Sequence, residues 1–352
     1  MLARKTKSLL CGDWQIVFLL LWSASAYCAA EPDGSSGNGT SIFSPASTPA
    51  GSIADLSVFV LAITGIIFVV VFALLVYSVV KFRARATDAR QEPPQVYGST
   101  QIELAWTIIP TLIVVVLFLA TARVIHAIQD APEPPGAVQV IAIGHQYWWE
   151  FRYPKLGIVT ANELHIPVSD TIHSTPTFLQ LLSADTDHSF WVPELAGKTD
   201  LIPNHPNRLW MDPQRAGNFL GQCAQYCGTQ HAKMLLRVSV DSPEDFAAWV
   251  RAQQKPAVED AVTIAGRRVF ESNACMNCHT VTGTSANGRF GPDLTHLMSR
   301  TTIAAGAARN THDNLRLWIQ DPSAIKPGSL MPAMKLSDAD FDAVVSYMET
   351  LR

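Results

Sequence analysis

The sequence carries no excess of positive charge: 26 Lys and Arg stand against 30 Asp and Glu, for a net charge of -4. A nucleic-acid-binding role announces itself as a basic patch or stripe, and none is present. No long run of like charge occurs either, which argues against a charged disordered tail. Cysteine is scarce and oddly placed. Of six, Cys11 and Cys28 fall near the start, while Cys223 with Cys227 and Cys275 with Cys278 form two tight pairs. That distribution fits metal or cofactor chemistry better than a disulfide framework. What is abundant is apolar: 48% of residues, which suits a folded protein with some membrane content. A chain of 352 residues implies about two to three domains.

Residues 1–30 read as a secretory signal peptide. Lys5 and Lys7 give a basic start, residues 16–22 a short apolar core, and small residues follow up to Ala30, where cleavage is expected. A retained helix is the other reading of this stretch. Lipidation of Cys28 is disfavoured by Tyr27, which sits where a small residue is needed. Residues 31–52 are rich in Gly, Ser and Pro and read as a flexible linker. Two apolar runs follow, at 53–80 and 104–128, each long enough to span a bilayer, so that 53–130 is expected to form a transmembrane helix hairpin. Between them lie Lys81, Arg83, Arg85 and Arg90. Short loops rich in Lys and Arg stay cytoplasmic, which puts everything after Asp130 on the far side of the membrane, in agreement with an export signal.

From residue 131 the texture changes. Segments 138–143, 178–182 and 235–240 are β-branched and extended, separated by Pro, Asn and Gly turns, and predict an all-β sandwich or barrel over 131–252, closed by a short helix at 242–252. Residues 253–258 read as a linker. The remainder, 259–352, is predicted helical, with apolar stripes at Val262, Ala265, Val269 and Phe270, at Leu315, Trp318 and Ile319, and at Phe341, Val344, Val345 and Met348. Ser337 with Asp340 resembles a capping box opening the last helix.

Segment 221–234 offers Cys223, Cys227, His231 and Met234 within one short stretch. Thiolate, thioether and imidazole favour copper over calcium or magnesium. A Cys223–Cys227 disulfide in an oxidising compartment is the plainest alternative, but a disulfide asks for neither His nor Met at these offsets. Tetrahedral zinc is another, and Met is a poor zinc ligand. Two cysteines can bridge two coppers, each of which then needs a histidine. His231 supplies one, and His188 is the candidate for the other.

Three motifs, His188-Ser-Phe-Trp-Val-Pro193, the Cys223 to Met234 loop and Gly144-His-Gln-Tyr-Trp-Trp149, together resemble subunit II of haem–copper cytochrome c oxidases. The resemblance runs over about 53–252 and includes Glu103-Leu-Ala-Trp-Thr-Ile-Ile-Pro110. It implies a cupredoxin-like Greek-key barrel holding a dinuclear copper A centre. By position, the ligands would be His188, Cys223, the main-chain carbonyl of Gln225, Cys227, His231 and Met234. The family often has Glu where this chain has Gln225. A carbonyl ligand survives that change, but the family's Glu side chain helps bind a magnesium ion at the subunit interface, and that ligand is left open here. The resemblance also makes Tyr147, Trp148 and Trp149 the aromatic patch for electron input; read as residues alone, they equally suit core packing. Glu103 becomes a candidate entrance to a proton pathway, where the plain reading is a helix-start carboxylate that suits the helix dipole.

Cys275-Met-Asn-Cys-His279 is a C-x-x-C-H motif, in which the thiols attach haem vinyl groups and His279 is the proximal iron ligand. Met331 and Met334 are the candidates for the second axial ligand. The tail resembles class I cytochrome c, and the Met-Pro pair in that family's ligand loop matches Met331-Pro332, which favours Met331. His296 and His312 read as surface or packing residues. The whole fusion resembles subunit II of a caa-type cytochrome c oxidase. The resemblance implies an electron-transfer subunit passing electrons from haem c to copper A and on to subunit I, where oxygen is reduced with proton pumping. It implies other oxidase subunits and membrane lipid as partners, a soluble or membrane-bound cytochrome c or a quinol–cytochrome c reductase as donor, and a bacterial inner membrane as the location. Two other readings stay open: the input subunit of a nitric-oxide reductase, and a copper-delivery protein.

Overall fold

The computed structural model describes residues 40–83, 95, 97–169, 175–257 and 263–352. The expected leader at 1–30, much of the 31–52 linker, and Arg85 and Arg90 lie outside the described residues.

Among the described residues, two helices are long and apolar enough to cross a membrane: α1 (Thr48–Lys81) and α2 (Thr100–Gln129). Their apolar side chains are exposed along most of their length, an arrangement that lipid satisfies and water does not. The first helix begins before the apolar run, inside the stretch expected to be linker. Pro49 sits in its first turn, where a missing N–H costs nothing. That turn is held from outside: Ala46 N–H donates to the Glu194 carbonyl at 2.8 Å and the Thr48 hydroxyl to Asp212 at 2.5 Å, while Ala50 and Ala54 are buried. The second helix runs through Pro110 without ending, as proline in membrane helices commonly allows. Its last turn is tied down by Trp210, whose Nε1 donates to the Ile128 carbonyl at 2.8 Å.

Ten strands then form two five-stranded sheets among the described residues. They are β1 (Val138–His145), β2 (Trp148–Tyr153), β3 (Ile158–Ala161), β4 (Glu163–Pro167), β5 (Thr177–Ser183), β6 (His188–Trp191), β7 (Thr199–Leu201), β8 (Asn207–Met211), β9 (Gly217–Cys223) and β10 (Leu235–Asp241). One sheet has the order β3-β2-β1-β5-β8 and the other β4-β10-β9-β6-β7. Both contain one parallel pair, β1 with β5 and β10 with β4. Apolar side chains from both sheets meet in one core, with Trp149, Phe151 and Leu179 from the first and Leu164, Phe190 and Phe219 from the second. This is the cupredoxin-like barrel the sequence implied. The helix α3 (Pro243–Gln253) closes it, capped by Ser242, whose hydroxyl accepts from Asp245 N–H at 3.1 Å.

The tail is mostly helical: α4 (Ile264–Ser272), α5 (Cys275–Cys278), α6 (His312–Gln320), α7 (Pro322–Ile325) and α8 (Asp338–Met348). Phe270, Leu315, Ile319, Phe341, Val344, Val345 and Met348 are buried in a second core, with Val269 and Trp318 partly buried against it, whereas Ala265 of the expected first stripe is exposed and Val262 lies outside the described residues. Ser337 caps α8, accepting from Asp340 N–H at 3.2 Å. One element departs from the helical expectation: β11 (Thr302–Ile303) pairs with β12 (Ala308–Arg309). Strands of two residues carry no periodicity to read.

Candidate functional site

The side chains expected to bind copper assemble at one end of the barrel. β6 pairs with β9 so that Phe190 lies opposite Cys223. His188, two residues before Phe190 on the same strand, points to the same inner face and is fully buried. β9 ends at Cys223 and β10 begins at Leu235, so the intervening loop leaves and returns at one place. Cys223 N–H donates to the Met234 carbonyl at 3.0 Å and closes its base. Inside the loop, a 3-10 turn at His231–Lys233 folds His231 back.

The donor atoms converge. Cys223 Sγ lies 3.9 Å from Cys227 Sγ and 3.9 Å from His188 Nδ1. Cys227 Sγ lies 3.8 Å from His231 Nδ1 and 3.9 Å from Met234 Sδ. The Gln225 carbonyl is 3.2 Å from Cys223 Sγ. A disulfide would hold the sulfurs at about 2.05 Å, and both cysteines are free. Each sulfur thus has its own imidazole nitrogen, and the two sulfurs stand side by side. Soft donors with two imidazoles suit copper. The hydrogen bond between the thiols lowers Cys223 well below the usual thiol range, and the same bond, with burial, raises Cys227. The pair therefore gives up one proton readily and keeps the second, the charge that a bound metal replaces.

His188 is oriented from behind. Its Nε2 lies 2.8 Å from Asp185 Oδ1, which leaves Nδ1 facing the sulfurs. Burial disfavours the charged ring, but the bonds to Asp185 and Cys223 outweigh it and raise His188. A carboxylate behind a ligating histidine fixes its tautomer and strengthens it as a donor. Asp185 was not singled out from sequence; its only signal is its place three residues before His188.

The tail builds a second site. His279 follows α5 with an extended backbone. Its Nδ1 lies 2.8 Å from the Pro292 carbonyl. A carbonyl only accepts, so Nδ1 holds the proton and Nε2 keeps its lone pair. Burial lowers the pKa of the ring and keeps it neutral. Cys275, Cys278 and His279 line a cavity of about 450 Å³ together with Met331 and Met334. Both methionines are half-buried, so the C-x-x-C-H set and both candidate axial sulfurs border one apolar space. His296 and His312 do not line it. His296 is buried with Nε2 3.1 Å from the Gln253 and Lys255 carbonyls, and His312 Nδ1 lies 3.1 Å from Glu349.

The cavity is closed partly by the barrel. Gln146, Tyr147, Trp148 and Asn162 line it. The Tyr147 hydroxyl accepts from Thr229 N–H at 3.2 Å, and the Gln146 side-chain amide donates to the Cys227 carbonyl at 2.7 Å. The turn between β1 and β2 therefore touches the copper loop on one side and the tail cavity on the other. Trp148 stacks on His145 at 4.2 Å and is buried with Ala305 of the tail. Trp149 is a correction to the expected aromatic patch. It points the other way, fully buried in the barrel core, edge-on to Phe190 at 5.7 Å and to His188 at 6.1 Å. Strand alternation sends Trp148 and Trp149, the first two residues of β2, to opposite faces, so the two cannot share one surface. Lys326 was also missed. It is buried in the cavity wall, its Nζ donates to the Tyr147 carbonyl at 2.7 Å, and burial pushes it down to about 7. Glu103 joins neither site; it lies exposed in the first turn of α2.

The comparisons agree with this division. Residues 36–124 match the family model for the cytochrome c oxidase subunit II transmembrane domain, 172–241 that for its periplasmic domain, and 264–352 that for cytochrome c. Fold and site chemistry thus define a membrane-anchored copper and haem protein. Among relatives, cytochrome c oxidase subunit 2 of Alkalihalophilus pseudofirmus is 35% identical over 84% of this chain and 85% of its own. That of Bacillus subtilis is 30% identical over 86% and 90%. The crystal structure of the periplasmic domain of subunit II of cytochrome oxidase from Bradyrhizobium japonicum is 28% identical over 34% of this chain and 96% of that one, with a TM-score of 0.32. The chain belongs to the cytochrome c oxidase subunit II family, in the form that carries a fused cytochrome c domain. It is a subunit of a haem–copper oxidase, and the nitric-oxide reductase and copper-delivery readings are not favoured.

Proposed function

We propose that this chain takes electrons from an external donor into a covalently attached haem c and passes them through a dinuclear copper A centre to subunit I. His188, Cys223, the Gln225 carbonyl, Cys227, His231 and Met234 would hold the copper ions. Cys275 and Cys278 would anchor the haem, with His279 and Met331 as axial ligands. Bound, these groups supply one-electron transfer. The chain's own residues orient and shelter them. Asp185 and the Pro292 carbonyl set the ring orientations of His188 and His279. The two cores exclude water, and Tyr147 with Gln146 joins the tail cavity to the copper loop. The observation that carries the reading is the placement of two thiols 3.9 Å apart, each with its own imidazole.

The same reading puts barrel and tail on the outer face of a bacterial inner membrane. The donor is a soluble or membrane-bound cytochrome c or a quinol–cytochrome c reductase. Gln225 offers a carbonyl but no carboxylate, so it does not replace a magnesium-binding Glu. Glu103, in the first turn of α2, is the proton-entrance candidate of the same reading.

Cys223→Ser in the full chain tests the copper assignment. It is expected to abolish the mixed-valence paramagnetic resonance signal and leave the haem c optical spectrum intact. An unchanged resonance spectrum in the variant rejects a dinuclear centre bridged by this sulfur.

A further inference from the structure

Three buried charged residues that belong to neither ligand set lie at the seam between barrel and tail: Glu163, Lys326 and Arg300, which is near enough to Glu163 to feel its charge. Glu163, at the start of β4, is buried. Its carboxylate accepts from the backbone N–H and the hydroxyl of Thr301 at 3.0 and 2.8 Å, and from those of Thr302 at 2.9 and 2.8 Å. Lys326, in the tail, is buried as well and reaches across to the Tyr147 carbonyl at 2.7 Å while also donating to the Ala304 carbonyl at 3.3 Å. Between them, Leu235 N–H at the start of β10 donates to the Ala305 carbonyl at 3.1 Å. The seam borders the tail cavity: Thr302, Ala304, Ala305 and Lys326 line it together with Tyr147 and Trp148.

Buried charges are costly unless every partner is in place. Apolar contacts alone would tolerate a small slide of one body over the other. A carboxylate wedged against four donors, and an amine shared between two carbonyls, would not, because a shift of one residue strands buried polar groups away from water. We propose that Glu163 and Lys326 are positioning residues that lock the tail onto the barrel in a single register. The cavity that holds Cys275, Cys278 and His279 is thereby kept closed against Tyr147 and Trp148. The chain's own tail, and no separate donor protein, occupies this face of the barrel. The inference deepens the electron-input reading and rests on it for its consequence, fast internal transfer.

Site-resolved amide hydrogen exchange on the full chain, as wild type, Glu163→Gln and Lys326→Met, tests the lock without reference to electron transfer. Each variant should speed exchange of the Leu235 amide at least tenfold. Lys326→Met should do the same at Thr301 and Thr302, which it does not touch. Amides of β1, β9 and α8 should keep wild-type rates. In copper- and haem-loaded Glu163→Gln, the rate of electron equilibration between tail and barrel after flash reduction should fall at least tenfold, with both optical spectra unchanged. Wild-type protection of Leu235 in both variants overturns the lock. So does accelerated exchange throughout β1, β9 and α8, which would make the residues general supports. A shifted haem potential with Leu235 still protected overturns it too, because Lys326 would then act on the haem. Accelerated seam exchange with an unchanged transfer rate overturns the positioning role. Failure of the electron-input reading looks different: the wild-type chain would bind neither copper nor haem, and the exchange data would still decide the lock.

Discussion

Two glycines stand against the two histidines that matter most. A Cβ on Gly144 would lie 2.8 Å from His188 Cδ2, and one on Gly291 would lie 2.5 Å from His279 Cε1. Neither ring can retreat, since Asp185 holds the first and the Pro292 carbonyl the second. Gly144→Ala is therefore expected to weaken copper binding on the order of tenfold, the scale of a displaced ligand support, with haem content unchanged. Gly291→Ala should deplete covalent haem while the copper signal persists. Metal analysis and haem staining of the two purified variants check both; equal loss of both groups in either variant would contradict this pairing. The axial sulfur is the other residue-scale question. Pro332 restricts Met331 to an extended backbone, whereas Met334 N–H donates to the Ile319 carbonyl at 3.2 Å and so is tied to α6. Met331→Ala should lose the weak sulfur-to-iron absorption band and lower the haem potential. Met334→Ala should keep the band and cost about 2 kcal/mol of packing. The reverse pattern would exchange the two assignments. The C-x-x-C-H run and the 223–234 loop were legible in the sequence because their donors are close along the chain. Asp185, Glu163 and Lys326 were not, because each acts on a partner brought near only by folding.

At the level of elements, the turn joining β1 to β2 does most to connect the two sites. Its geometry rests on Glu150, buried on β2, which meets His145 Nε2 at 3.0 Å and also takes Arg152. His145 in turn stacks on Trp148. Burial works against the carboxylate, but the bonds to His145 and Arg152 outweigh it and hold Glu150 below its ordinary value of 4.5. A depressed carboxyl contributes stability that is fully present above the unfolded value and is lost as pH falls through the folded one. Wild-type thermal stability should therefore drop on acidification below 4.5, and Glu150→Gln should show a shallower drop from a lower starting point. Melting curves followed by circular dichroism across that range decide it, and parallel pH profiles would rule the contribution out. The helical stripes of the tail and the Ser337 cap were readable because helix periodicity and capping are local. The β11–β12 hairpin was not, and the start of α1 depends on Glu194 and Asp212, far away in sequence.

For the whole molecule, two long apolar helices and a basic connection set the orientation. Lys81 ends α1 and Arg83 follows it, with Arg85 and Arg90 beyond them in sequence. The positive-inside tendency keeps such a connection in the cytoplasm. Reporter fusions within 81–90 should be active as cytoplasmic markers, and fusions after Arg352 as exported ones. A cytoplasmic C-terminus would invalidate the topology and, with it, the placing of both metal sites outside the cell membrane.

By itself, the sequence determined the kinds of chemistry and the kinds of element. Soft donors at fixed offsets specify copper, C-x-x-C-H specifies haem, uninterrupted apolar runs specify membrane helices, and alternation or helical stripes specify barrel and tail. All of these are local relations, expressed over one loop, one strand or one helix. Tertiary structure alone decided which distant residues serve them. It brought His188 to Cys223 through the β6–β9 pairing, turned Trp149 into the core and Trp148 toward the tail, and placed Glu163 against Thr301 and Thr302. The physical reason is that strand register and the packing of one body on another depend on the sum of many weak contacts across the chain, and no single segment carries that sum.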